Sequence, residues 1–283
     1  MKQINSGIAG VALVTGASSG IGRALADELA RLNYRVYAAA RSLPDYFADP
    51  AAETVSGSGS LRPIRLDVTD EAAVREAFNQ IIAAEGRLDC LIEAAGYGLA
   101  GSVEDTASSE ARSQLETNFF GAIHILPQAL AQMRRQKHGI IVFLGSVAGF
   151  LPIPFQAYYS ASKAALTALS LALAEEVRPW GIRCLLVQPG DTQTGFTHSR
   201  VMAQAAGQTD YADRCGRSIN RMAADEMRGT PAEVTARLVA RQMLRRRPPL
   251  VYTPGGLYKL ASVLIRILPL GLSRRIIGLM YAR

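Results

Sequence analysis

The feature that most narrows the possible folds is an alternation. Short, almost wholly apolar runs take turns with longer stretches of helical periodicity from Val11 to Val187. The runs are residues 11–14, 35–40, 61–66, 88–94, 140–144 and 182–187. Near-continuous apolar strands are buried on both faces, and strands alternating with helices build a parallel sheet covered on both sides. The intervening stretches 22–32, 71–84, 110–136 and 157–177 predict helices, with Thr69 or Asp70 capping the second and Pro127 kinking the third. Residues 44–60, with an Asp-Pro step and a Gly-Ser-Gly-Ser run, predict a loop. After Pro189-Gly190 the regularity lapses. Residues 191–228 read as a long mobile insertion, 231–246 as a further helix, and 250–252 as a seventh strand. The expectation is one doubly wound α/β domain over residues 1–256 with a seven-stranded parallel sheet, and a helical extension over 257–283.

Composition excludes several other classes. Of 283 residues, 49% are hydrophobic and 19% charged, so the chain can bury a core and is not a disordered one. The cysteines are Cys90, Cys184 and Cys215, an odd number with no paired spacing, which argues against a disulfide framework or a zinc site. His124, His138 and His198 lie too far apart to suggest a metal centre. Gln3, Asn5 and Ser6 interrupt any apolar leader, and no apolar run approaches the ~20 residues of a spanning helix. A reducing, cytoplasmic setting is expected. The net charge of +7 is uneven, because residues 230–283 hold ten Lys/Arg and one acid, Glu233. The chain is poor in nucleic-acid motifs, so this basic end suggests either a face for anionic lipid or simply a charge that keeps the protein soluble.

The first apolar run ends in Thr15-Gly16-Ala17-Ser18-Ser19-Gly20-Ile21-Gly22 and opens a helix. Glycines at a strand-to-helix turn let the backbone approach a pyrophosphate, whose charge the helix N-terminus stabilises. This is the turn of a Rossmann-type nucleotide site. An NAD site usually has a carboxylate at the end of the second strand, for the ribose 2′-hydroxyl. Here Ala40 takes that place and Arg41 follows. An arginine pairs with a 2′-phosphate, so NADP(H) is the expected cofactor. Asp67-Val68, after the third strand, is placed to touch the adenine, although Asp67 serves equally well as a cap for the next turn.

Tyr159 and Lys163 stand four apart at the start of a predicted helix and share a face. A nearby ammonium, with the positive nicotinamide of an oxidised cofactor, favours the phenolate and fits Tyr159 for proton exchange. Tyr158 points about 100° away around the helix and reads as packing or substrate wall. With the glycine turn, Asn118 after the fourth strand, Ser146 after the fifth, Tyr159/Lys163, and Pro189-Gly190 after the sixth, the chain resembles the short-chain dehydrogenase/reductase family. The pattern covers Val11 to about Phe196, and with the hydrophobic extension at its C-terminal end the chain resembles the members that act on hydroxysteroids and retinol.

The resemblance implies a carbonyl/alcohol oxidoreductase. Ser146 would hold the substrate oxygen, Tyr159 would move the proton, and Lys163 would bind the nicotinamide ribose and tune Tyr159. Asn118 would order a water beside Lys163, and Thr194 would hold the nicotinamide carboxamide. Ala95, Gly96, Pro189, Gly190 and Thr192 would complete the cofactor site. The family is often dimeric or tetrameric, so self-association is expected. A non-catalytic NADP-binding regulator on the same fold is the alternative, but such relatives usually lose the tyrosine or the lysine. One departure is Glu93-Ala94-Ala95-Gly96, where the family usually has Asn-Asn-Ala-Gly. A buried Glu93 needs a partner or a proton, and a substrate-side acid is the other reading.

The expected substrate wall is apolar: Tyr97, Val147, Leu151, Phe155, Tyr158 and Phe196. In the extension, Leu257, Leu260, Ala261, Leu264, Ile265 and Leu268 recur at helical spacing, Pro269 ends that helix, and residues 272–280 form a second amphipathic piece. Such a segment packs on its own domain, covers the pocket, joins two subunits or lies on a bilayer. A lipophilic ketone or alcohol is the expected substrate.

Overall fold

The computed structural model describes residues 9–42, 54–56, 59–256, 258–260 and 268–281. Strand β1 (Gly10–Thr15) leads into α1 (Gly20–Arg31) and β2 (Tyr34–Ala40). Next come β3 (Thr54–Ser56), β4 (Gly59–Arg65), α2 (Glu71–Glu85), β5 (Cys90–Glu93) and β6 (Leu99–Ala100). Helices α3 (Ser108–Leu115) and α4 (Gly121–Gln136) precede β7 (Gly139–Leu144), α5 (Ala157–Val177) and β8 (Ile182–Val187). The chain continues through β9 (Thr192–Gln193), β10 (Val201–Met202), α6 (Ala212–Met227), β11 (Thr230–Pro231), α7 (Ala232–Met243) and β12 (Val251–Tyr252). A last helix, α8, spans Leu270–Tyr281.

The main sheet runs β12-β8-β7-β5-β1-β2-β4-β3, and seven of its strands are parallel, as the alternation requires. The eighth, β3, pairs antiparallel with β4 inside the stretch read as a loop. Thr54 and Val55 are β-branched and suit an edge strand, but the Gly/Ser composition around them hid the signal. Strand order reverses at β1, whose neighbours are β2 and β5. At that switch point the two flanking loops part and leave a crevice at the strand C-termini, where ligands bind in open α/β sheets.

Alternate residues of β1 enter opposite core layers. Val11 and Leu13 join Phe78, Ile81, Ile125, Met133 and Leu166, while Ala12 and Val14 join Leu25, Leu29, Val239 and Met243. Asp70, not Thr69, caps α2, accepting from the Ala73 amide at 3.0 Å. Pro127 lies inside α4, which runs unbroken. The irregularity falls earlier, in a π-helical turn over Glu116–Phe120.

The insertion is more ordered than its composition suggests. It holds β9, β10 and the four-turn helix α6, with β9 paired to β11 and β10 to β6. The buried face of α6 is Cys215, Ser218 and Met222 within an otherwise polar helix, so the segment reads as polar along the sequence although its few apolar residues share a face. The first helix expected in the extension falls largely on residues 257 and 261–267, outside the described residues. The second is α8, which packs on α6.

Candidate active site

The crevice between β1 and β5 opens into a cleft of about 280 Å³. Its nucleotide end is the glycine turn. Gly16 has φ +63 and Gly20 φ +59, a region that favours glycine, and a Cβ on Gly22 would stand 2.4 Å from the Gly16 carbonyl oxygen. Ser19 precedes α1 in extended conformation and its side chain makes no cap, so its hydroxyl leaves the first amides of the helix uncovered. Ser18, Ser19, Gly20, Ile21, Gly22, Arg41, Val68, Ala95 and Gly96 all line the cleft. A backbone cradle, free helix amides and an arginine at the end of β2 fit a dinucleotide with an anionic group near its adenosine.

Two expected cofactor residues face elsewhere. Thr15 is fully buried, and its hydroxyl accepts from the Ala94 and Ala95 amides at 3.0 and 3.1 Å, tying β1 to the turn after β5. Asp67 spends its carboxylate on the Thr69 amide and hydroxyl at 2.9 and 2.8 Å, so the capping alternative is the observed one. Glu93 is buried beside Thr15, 3.2 Å from its hydroxyl, and does not line the cleft. Burial pushes its carboxyl up to about 8, against a smaller lowering by the Thr15 hydrogen bond. The carboxyl therefore has both a partner in Thr15 and a raised affinity for its proton, and because it does not line the cleft the substrate-side reading is set aside.

Ser146, Tyr159 and Lys163 converge at the other end. The loop after β7 supplies Ser146 and the first turns of α5 supply Tyr159 and Lys163, all on the cleft wall. Ser146 faces the Tyr159 phenol closely enough to favour its charged form. Lys163 Nζ donates to the Leu144 carbonyl at 2.8 Å and lies 5.9 Å from the centre of the Tyr159 ring. Burial pushes Tyr159 up to about 12, against a lowering by Ser146, and pushes Lys163 down to about 8. The sequence reading expected the ammonium to draw the phenol down. In the protein alone desolvation of both groups prevails, because each charged form loses water that the other does not replace.

Asn118 sits in the π-helical turn. Its amide donates to the Tyr97 carbonyl at 3.0 Å and to Ser162 Oγ at 3.1 Å, and accepts from the Tyr97 amide at 3.0 Å. Ser162 in turn donates to the Tyr159 carbonyl at 2.7 Å. Asn118 thus anchors α5 beneath the catalytic pair. A Cβ on Gly96 would lie 3.0 Å from Asn118 Oδ1 and 3.7 Å from Lys163 Nζ, so glycine keeps the space between them open.

The substrate side divides. Val147 and Phe196 line the cleft, and the Phe196 ring lies 5.5 Å from that of Tyr159. Tyr97, Leu151, Phe155 and Tyr158 do not line it. Tyr97 and Phe155 pack instead against Leu99, Ala203, Ala206 and Cys215. In their place stand Ile153, Gln156, Ser199, Met222, Glu226 and Tyr281. Three of these, Met222, Glu226 and Tyr281, come from α6 and α8, which no motif marked. Gln156 carried a signal in its position three residues before Tyr159.

Pro189, Gly190, Thr192 and Thr194 border the cleft as expected, held by the Pro189 carbonyl, which accepts from the Val147 amide at 3.0 Å. The Tyr258 ring covers Gly190, and its hydroxyl donates to Asp191. Among the described residues no cluster of metal-ligating side chains occurs, and no helix is long and apolar enough to cross a membrane.

A short chain dehydrogenase family model matches residues 10–205. The 3-ketodihydrosphingosine reductase of Bacteroides thetaiotaomicron is 38% identical over 240 residues, 84% of this chain and 85% of that protein. Human 17-beta-hydroxysteroid dehydrogenase type 1 is 36% identical over 191 residues, 66% of this chain and 58% of that protein. A short chain dehydrogenase/reductase from Burkholderia phymatum, solved in complex with NAD, superposes with a TM-score of 0.76 at 25% identity, covering 92% of this chain and 93% of that one. Likeness that runs through the glycine turn, the π-helical turn and the Tyr159 helix makes the chain a member of the short-chain dehydrogenase/reductase family, an oxidoreductase of CH–OH and C=O groups.

Proposed function

We propose that the protein is an NADP(H)-dependent reductase of lipophilic ketones. The observation that carries the reading is the meeting of Ser146, Tyr159 and Lys163 in one cleft whose far end is lined by Arg41 and lacks an acid at position 40. The apolar lining by Ile153, Phe196 and Met222 supports a hydrophobic substrate, and the ketodihydrosphingosine and hydroxysteroid named for two relatives agree with it.

In the reductive direction Ser146 donates a hydrogen bond to the substrate oxygen and holds it beside the Tyr159 hydroxyl. Tyr159 gives that oxygen its proton as negative charge develops there. The Lys163 ammonium limits the cost of the resulting phenolate, and Asn118 fixes α5 so that the two side chains keep their registry. When bound, the nicotinamide supplies or accepts the hydride.

The test is a panel of long-chain, steroid and short hydrophilic ketones, assayed with NADPH and NADH. The expected outcome is faster turnover of the lipophilic members and preference for NADPH. Arg41→Ala should weaken NADPH binding roughly tenfold to a hundredfold, the worth of a charge-assisted hydrogen bond, and leave NADH nearly unchanged. Equal loss for both cofactors removes Arg41 as the phosphate reader. A preference for short hydrophilic carbonyls overturns the substrate class.

A further inference from the structure

Gln156 is the residue before α5, three positions ahead of Tyr159, and only 3% of its surface is exposed. Its side chain does not cap the helix, although it stands at the capping position. The amide nitrogen Nε2 has no hydrogen-bond partner in the protein, yet the residue lines the catalytic cleft. A Cβ on Gly98 would come within 3.7 Å of Nε2 and 2.8 Å of the Phe196 ring, so the amide sits next to the aromatic that faces Tyr159. A buried N–H donor without an acceptor is unfavourable, and a site that keeps one gains by binding a ligand that supplies the acceptor.

The neighbouring charges limit what that acceptor is. Arg200, whose side chain is 3% exposed, is engaged by Glu226, so the two charges offset each other. Glu226 also accepts from Thr197 Oγ1 at 2.6 Å, and Asp191 accepts from Tyr258. Among the described residues the substrate end therefore presents a neutral donor, with Arg200 paired to Glu226 and Lys163 held by the Leu144 carbonyl, which suits a hydroxyl or carbonyl oxygen better than a phosphate or carboxylate.

Resting on the reading of the protein as a lipophilic ketone reductase, we infer that Gln156 is a specificity residue that donates from Nε2 to a second, neutral oxygen a few bonds from the reacting carbonyl. The preferred substrate is then a lipid ketone with a polar head, such as a hydroxy ketone, and not a plain hydrocarbon ketone. Tyr159 and Ser146 hold the reacting oxygen, Gln156 the second oxygen, and the apolar wall takes the chain.

The probes are long-chain α-hydroxy and β-hydroxy ketones and the plain ketone of the same chain length, each reduced with NADPH. The readout is the ratio of kcat/KM for a hydroxy ketone to that for the plain ketone. Wild type should prefer at least one hydroxy ketone by about tenfold, the scale of one neutral hydrogen bond. Gln156→Leu and Gln156→Met should bring the ratio near unity, since neither side chain donates a hydrogen bond. Because the ratio is taken within each variant, a general loss of folded enzyme does not move it. Equal kcat/KM for the probes in wild type, or a ratio unchanged in both variants, overturns the role of Gln156 while leaving the ketone-reductase reading in place. Failure of wild type to reduce any of the ketones overturns both.

Discussion

Tyr159 and Glu93 are both buried acids, and the fold treats them differently. Tyr159 faces the cleft beside Ser146 and Lys163, so its proton has somewhere to go. Tyr159→Phe removes the proton and keeps the ring contact with Phe196. Turnover should fall by about 10²–10⁴-fold while cofactor affinity stays within a few-fold. Single-turnover rates with cofactor titration check this, and retention of more than about a tenth of the rate would falsify the assignment. Glu93 faces the interior, and burial lifts its carboxyl to about 8 from an ordinary 4.5. A raised carboxyl binds more protons folded than unfolded between those values. Its contribution to stability is therefore present below about 4.5 and is lost as the pH climbs to about 8. Glu93→Gln removes that titration and should stabilise the protein at pH 8 by roughly 2–4 kcal/mol relative to wild type, with little gain at pH 4.5. Denaturant melts at both pH values decide the matter; parallel curves for the two proteins sink it.

At the scale of elements, the site is assembled by segments of unequal legibility. The β1–α1 turn is local, and its glycines announce it. The π-helical turn that seats Asn118 lies in a stretch whose periodicity is ordinary helix, and the sequence pointed to Pro127 instead. Helix α8 has two faces. Ser273 and Ile277 are buried and Tyr281 reaches the cleft, whereas Leu272, Ile276, Leu279 and Met280 are exposed. The inner face closes the substrate end together with α6. Deletion of residues 270–283 should therefore raise KM for long-chain ketones several-fold, with a smaller change in kcat. Steady-state kinetics on a truncated protein with a native circular dichroism spectrum provide the check. An unchanged KM means that α8 does not cover the pocket.

For the whole molecule, the outer face of α8 has a further consequence. Its exposed apolar stripe belongs to the region that carries ten basic residues and one acid. We propose that this face rests on anionic lipid and brings the cleft mouth near a hydrophobic substrate. Basic residues near such a surface contribute about 1 kcal/mol each at low salt, and the attraction weakens as salt shortens the Debye length. Co-sedimentation with vesicles of mixed anionic and neutral lipid should show binding at low salt and release at high salt. Ile276→Glu with Leu279→Glu should abolish it. Protein that ignores the vesicles at low salt, or binds equally with both substitutions, rules the surface out.

The sequence by itself determined what local chemistry and periodicity carry. Apolar runs of strand length separated by helices require the parallel sheet, and glycines 16, 20 and 22 require a tight turn under a helix N-terminus. The spacing of Tyr159 and Lys163 puts them on one helical face wherever the helix lies. The antiparallel edge strand β3 escaped because three residues in a Gly/Ser context carry almost no pattern. Only the tertiary structure decided which side of each residue is wet. Thr15 and Asp67 sit in the expected places but spend their oxygens on neighbouring backbone and side-chain groups. The aromatic residues Tyr97 and Phe155, plausible as pocket wall, belong to a separate small core. Met222, Glu226 and Tyr281 reach the cleft from segments more than sixty residues beyond Tyr159 in the chain. Burial and long-range contact are properties of the packed chain, so the direction of a pKa shift and the identity of a pocket wall follow from packing and not from the residue types alone.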